Sequence, residues 1–163
     1  MPDNSAVIYR LYDAFAKLDA AGMAGCYADD AVFEDEIFSL QGKREVMGMW
    51  SMLIDATRAK GRDVWQLRHE GVLSSEDRGE ARWIANYRFS ATGRMVENRI
   101  QAQFRFNADG LIVIHRDHFD FWKWSSQALG PAGLLLGWSE LLRNKVKAQA
   151  MANLNRYLSG GAN

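Results

Sequence analysis

Four strand-length runs follow one another between residues 63 and 124: DVWQLRHEGVLSS, GEARWIANYRFSA, RMVENRIQAQFRFN and LIVIHRDHFDFWKW. Only SSEDRGE, ATGR and NADG punctuate them. Connections this short join antiparallel neighbours, because a parallel crossover needs about a dozen residues or more. The runs are also rich in β-branched and aromatic residues, so this half of the chain is predicted to be a meander of three successive hairpins.

The first half reads differently. Asp3, Asn4 or Ser5 caps a helix on which Val7, Ile8, Leu11, Phe15 and Leu18 recur at helical spacing until Gly22. MAGCYADDA is predicted to be a short second helix ending in a turn, and AVFEDEIF a short strand and bend. From Lys43 to Arg58 a third helix carries Val46, Met47, Trp50, Leu53 and Ile54 on one stripe. Beyond the meander, Gly130 and Pro131 break the pattern, and LLLGWSELLRNKVKAQAMANLNRYL then predicts one long terminal helix before a floppy SGGAN end. Helices followed by a meander indicate an α+β fold with the helices on one face of the sheet. A sheet curled around the first helices makes a cone, and its interior is where a pocket is expected.

At 163 residues, 48% apolar, the chain is read as a single domain, residues 1–163, with a core over 5–124 and a C-terminal helical extension over 125–158. Twenty basic and twenty acidic side chains cancel, which speaks against a nucleic-acid partner. Cys26 is the single cysteine and MPDNSAVIYR lacks the features of a secretory signal, so a cytoplasmic location is expected. The apolar run GPAGLLLGW is well short of the ~20 residues that span a bilayer. The terminal segment does put Leu134, Trp138, Leu141 and Leu142 on one stripe with Arg143, Lys145 and Lys147 at its rim. Such a segment packs on its own domain or a partner more often than on a membrane, and here it would cover the mouth of the cone.

The chemistry concentrates in HRDHFDFWKW. Read as a strand, it places His115, Asp117, Phe119 and Phe121 on one face, and Arg116, His118, Asp120, Trp122 and Trp124 on the other. Each face therefore offers one histidine and one aspartate, too few for the three or four converging ligands of a zinc site, and neither a metal nor a cofactor is expected. On the outer face His118, Asp120 and Trp122 would satisfy one another or meet a second copy in a homodimer. On the inner face His115 and Asp117 share a hydrogen bond in which the carboxylate favours an imidazolium. Alternation through FEDEIF puts Asp35 on one face with Phe33 and opposite Glu34 and Glu36; if that face is the inward one, a single carboxylate enters the cone and the flanking acids stay in solvent. Two carboxylates and a histidine within apolar walls are equipped for acid–base work, since burial and neighbouring charge separate their protonation states. The alternative is a solvated charge run and a structural strand pair.

Two stretches resemble a known family. CYADDAVFED, after a helix carrying RLYDAF, and RFNADGLI leading into HRDHFD are similar to the opening and final hairpin of the nuclear-transport-factor-2-like superfamily. That superfamily includes ketosteroid isomerases, limonene epoxide hydrolases, scytalone dehydratase and polyketide cyclases. The resemblance frames residues 5 to 122 and implies a cone-shaped, mixed but mainly antiparallel sheet and a homodimer. It places Asp35 at the isomerases' general base, Asp117 at one of the epoxide hydrolases' catalytic aspartates, and His115 and Phe119 at pocket positions. The pattern also departs from the family. Arg99 stands where the isomerases hold a protonated acid and becomes a candidate anion stabiliser, Leu11 stands for their first-helix tyrosine with Tyr12 one step away, and no aspartate accompanies Arg82 or Arg88.

The resulting expectation is a cofactor-independent enzyme of isomerase, cyclase, dehydratase or epoxide hydrolase type acting on a hydrophobic small molecule. Asp35, Asp117, His115 and Arg99 are its candidate catalytic residues, and Phe33, Trp50, Trp83, Phe119 and Tyr12 its candidate substrate contacts. The alternative is a non-catalytic ligand-binding or dimerisation module of the same fold.

Overall fold

Helix α1, Ser5–Ala16, buries the predicted stripe of Ile8, Leu11 and Phe15. It stops earlier than its periodicity suggests. Leu18 takes a left-handed φ of 57°, and Asp19 then caps a new short helix, α2 (Ala20–Ala24), by accepting from Gly22 N at 3.0 Å. The computed structural model describes residues 3–160, so the last three residues of the SGGAN run lie outside it.

YADDA, expected to end the second helix, instead begins strand β1, Tyr27–Glu34. A short β2 (Ser39–Gln41) and helix α3 (Lys43–Lys60) follow. Then come β3 (Gln66–Ser74), β4 (Arg78–Arg88), β5 (Met95–Phe106) and β6 (Ile112–His118), in the three hairpins the sequence predicts. The turn into β6 shows how: Asn107 Oδ1 accepts from Asp109 N and Leu111 N, both at 3.0 Å, and Gly110 supplies a φ of 77°. Strand order is β2-β1-β6-β5-β4-β3, and only β1 and β6 run parallel.

The curved sheet has two unlike faces. Along β5, Val96, Asn98, Ile100, Ala102, Phe104 and Phe106 are buried while every intervening residue is exposed. The buried set forms one core with α1 and α3, through Ile8, Leu11, Phe15, Val46, Met49, Trp50 and Ile54.

Beyond His118 the chain departs from expectation. Asp120 ends the extended run by accepting from Lys123 N at 3.0 Å, and Phe121–Leu129 form helix α4. Phe119 and Phe121 still fit a strand, but Phe121 and Trp124, three apart and both buried, share a face only on a helix, which the cap begins. The outer-face surface expected from His118, Asp120 and Trp122 thereby loses two of its three residues. The long terminal helix is also divided, into α5 (Pro131–Leu136) and α6 (Glu140–Leu158), because Gly137 closes the first and Ser139 caps the second by accepting from Leu142 N at 3.3 Å. Gly133 lets α5 lie directly on the Ser125 carbonyl of α4, where a β-carbon has no room.

Helix α6 returns across α3. Leu154 is fully buried beside Gly48, Tyr157 donates to Asp55 at 2.6 Å and Arg44 donates to the Leu158 carbonyl at 3.1 Å. No helix among the described residues is long and apolar enough to cross a membrane.

Candidate active site

The parallel pairing of β1 with β6 builds the site. It sets Phe33 beside His115 and Glu34 beside Arg116, and the pairing ends there, with Asp35 and Asp117 each one residue further on. The Phe33 ring meets the His115 ring edge-on, with centroids 5.0 Å apart.

His115 and Asp117 are 1% and 6% exposed, and both belong to a hydrogen-bonded relay. Trp50 Nε1 donates to the Tyr27 hydroxyl at 3.0 Å, that hydroxyl lies 2.8 Å from His115 Nδ1, and His115 Nε2 lies 2.8 Å from Asp117 Oδ1. Trp83 Nε1 donates to the same Asp117 oxygen at 3.4 Å. A carboxylate only accepts, so the ring proton sits on Nε2 and Nδ1 takes the tyrosine proton. An imidazolium would carry a second proton at Nδ1 and leave the Tyr27 O–H without an acceptor among the described residues. Hydrogen-bond accounting therefore favours a neutral ring, against the imidazolium expected from the His115–Asp117 pair alone. The second Asp117 oxygen has no hydrogen-bond partner among the described residues.

Asp35 sits just past the end of β1, partly buried, in a tight turn. Its Oδ1 accepts from Ile37 N at 2.7 Å and Phe38 N at 2.6 Å, leaving Oδ2 unengaged. Burial pushes its pKa up to about 7, with the charges of Asp117 and Glu36 adding to the rise against the two backbone donors.

Asp35 and Asp117 line one cavity of about 590 Å³. Its walls are mostly apolar, with Phe15, Phe38, Trp50, Trp65, Trp83, Phe119 and Trp124 among them, and α3 and α6 contribute Leu53, Val146 and Ala150 towards the mouth. Asn98 also lines it. This side chain is 9% exposed and makes no hydrogen bond among the described residues, so its amide is available to a ligand.

The SnoaL-like domain family matches residues 8–115. The chain belongs to that family. Solved structures of the same fold include an NTF2-like protein of unknown function from Burkholderia pseudomallei, at 18% identity and a TM-score of 0.64 over 78% of this chain and 98% of that one. An LEH-like epoxide hydrolase from Mycobacterium tuberculosis gives 16% and 0.61 over 82% and 95%. A hypothetical protein with a ketosteroid isomerase-like fold from Catenulispora acidiphila, in complex with trimethylamine, gives 12% and 0.62 over 77% and 94%. No curated protein matches the sequence.

Within this SnoaL-like chain the candidate residues divide. Asp35, Asp117, Trp50, Trp83 and Phe119 meet at the cavity. His115, Phe33 and Tyr12 stand behind its wall instead. His115 holds Asp117, Phe33 supports Trp50 and His115, and Tyr12 backs Trp83 with ring centroids 5.7 Å apart. The Tyr12 hydroxyl has no hydrogen-bond partner among the described residues, and burial, reinforced by the Asp117 charge, pushes its pKa well up. Arg99 is on the other side of the sheet, its side chain 71% exposed and paired with Glu97 at 3.2 Å. The inward polar residue of β5 is its neighbour Asn98.

Sequence reasoning missed Tyr27, Asn98 and Tyr87. Alternation along β5 would have exposed Asn98 as the one amide among inward apolar residues. Tyr87, which accepts from Trp124 Nε1 at 2.7 Å and whose pKa burial pushes up to about 12, lies on β4 as one aromatic among several. Nothing in its local pattern marks it.

Proposed function

We propose that this chain is a cofactor-independent enzyme that transfers a proton next to a carbonyl of a hydrophobic small molecule. The observation that carries this reading is the presence of Asp35 and Asp117 on one apolar-walled cavity, each anchored through one oxygen. Asp35, titrating near neutrality, takes the proton from the carbon beside the carbonyl, since a base is most effective when its pKa is near the working pH. Negative charge then develops on the carbonyl oxygen, and the Asn98 amide is the donor free to meet it. The proton returns to a different carbon in an isomerisation, or in a cyclisation the carbanion adds to a second carbonyl and the alkoxide so formed takes the proton back from Asp35. Asp117, fixed by His115 and Trp83, keeps the proton on Asp35 accessible by opposing its full ionisation.

Deuterium exchange tests this. Wild-type protein in D2O should speed exchange at the carbons beside the carbonyl of 2-tetralone or a similar hydrophobic ketone, and Asp35→Asn should lower the rate by about 10²-fold or more. Equal rates for the two proteins, or no exchange by the wild type, would overturn the proposal.

A second reading, a non-catalytic ligand-binding module, is favoured by the closure of the Trp50–Tyr27–His115–Asp117 relay. Mutual satisfaction of this kind is also how buried polar groups are held in a purely structural core.

A further inference from the structure

We infer that the rim of the cavity is an anion-binding subsite centred on Arg156, so that the ligand is an amphiphile with an apolar body inside and an anionic group, such as a carboxylate, at the mouth. The inference rests on the reading of the cavity as a site for a hydrophobic small molecule.

Gln149, Asn153 and Arg156 are four and three residues apart on α6, hence on one side of the helix, and all three line the cavity while remaining exposed. Gln149 Nε2 donates to Asn153 Oδ1 at 3.0 Å. The Asn153 acceptor is thus engaged, and its N–H groups are left to donate beside Arg156.

The charges at the mouth are unevenly paired. Arg88, the other cavity-lining arginine, is held by Asp63 at 3.1 Å and by the Lys60 carbonyl at 2.6 Å. Asp55, the acid at this end of α3, accepts from Tyr157 at 2.6 Å. Arg156 has no side-chain hydrogen bond or ion pair among the described residues. A cation in the last turn also suits the helix dipole, but the dipole asks only for a charge near the helix end and not for one on the cavity wall.

The acids in the cavity complete the argument. Asp35 and Asp117 repel an anion, whereas Arg156 and the Asn153 amide attract one, so an amphiphile has a single favourable orientation. That orientation leaves the uncharged part of the ligand against the two carboxylates. The rim lies on α6, beyond residue 115 where the family match ends.

Two probes with the same anilinonaphthalene body separate the subsite from the cavity. One is 1-anilinonaphthalene-8-sulfonate, and the other is uncharged N-phenyl-1-naphthylamine. Fluorescence titration of wild-type protein should show the sulfonate binding about fivefold tighter or more at low salt. Arg156→Gln should abolish that preference without weakening the neutral probe, and Arg156→Lys should restore part of it. Leu53→Trp, which fills the cavity from a half-exposed position on α3, should weaken both probes and shows that binding is inside. Equal affinities in the wild type, or a preference that survives Arg156→Gln, would overturn the subsite while leaving the cavity reading intact. Failure of both probes to bind, or binding indifferent to Leu53→Trp, would overturn the cavity reading and the subsite with it.

Discussion

Strand β6 contributes to two histidine–carboxylate pairs whose chemistry is alike and whose surroundings are opposite. His115 meets Asp117 at 2.8 Å with side chains 1% and 3% exposed, while His118 meets Glu36 at 2.5 Å with side chains 78% and 17% exposed. Residues 115 and 118 are three apart, so strand alternation alone sends them to opposite faces. On the inner face the partners, with Tyr27 behind His115 and Trp83 beside Asp117, stand in for water. On the outer face His118 is open to water, and Arg143, 3.5 Å from Glu36, keeps that carboxylate paired when His118 leaves. The same two functional groups therefore hold a fold together in one place and do little for it in the other.

Truncation should separate them most clearly. Asp117→Ala strands the His115 and Trp83 N–H groups and should cost about 3–5 kcal/mol, whereas His118→Ala should cost about 0–1 kcal/mol. Chemical denaturation of both variants beside the wild type measures the difference. A loss below about 1 kcal/mol for Asp117→Ala would mean that water reaches the inner pair, and the contrast between the faces would be gone.

How far this contrast was legible in the sequence depends on the distance over which each signal acts. Alternation is local, so residues 115–117 alone put His115 and Asp117 on one face, which the resemblance then made the inner one, and the three hairpins followed from their turns. Arg99 was misplaced because its role came from counting back along a resemblance, where an error of one residue reverses the face. Asp120 was read as strand because its capping bond to Lys123 N competes with an alternation that Phe119 and Phe121 still satisfy. The relay through Tyr27 was invisible for a different reason. Tyr27 is 88 residues from His115, and only the parallel β1–β6 pairing, which no short turn announces, brings them together.

Asp35 lies between the two extremes, partly buried and open to the cavity, and pH should reveal it. Its folded-state pKa of about 7 stands above the ordinary 3.8, so between those values the folded protein binds more protons than the unfolded chain. Stability from this group is complete below about pH 4 and is lost as pH rises through about 7. Asp35→Asn keeps the acceptor for Ile37 N and Phe38 N without the charge. It should match the wild type near pH 3.5 and exceed it at pH 8 by about 2 kcal/mol, roughly half of what the whole shift would give, because cavity water screens the carboxylate. Denaturation midpoints across that range measure it. An advantage that stays constant with pH would place Asp35 in an ordinary solvated setting, and one that shrinks as pH rises would mean that the fold stabilises its carboxylate.

The smallest effect is expected at Arg99. Its pair with Glu97 joins side chains 71% and 46% exposed, so Arg99→Gln should change stability by no more than about 0.5 kcal/mol, and by nothing measurable in high salt. Affinity for either anilinonaphthalene probe should not move. The only way for Arg99 to reach the cavity is a one-residue slip of β5. That slip would also turn Val96, Ile100 and Phe104 into solvent, at about 1.5–3 kcal/mol each, and bury Glu97 and Gln101 without partners. A clear loss of probe binding in Arg99→Gln would therefore contradict the register of the whole strand and not a single side chain. The inert response of residue 99 is in this sense the sharpest test of which face of β5 looks inward.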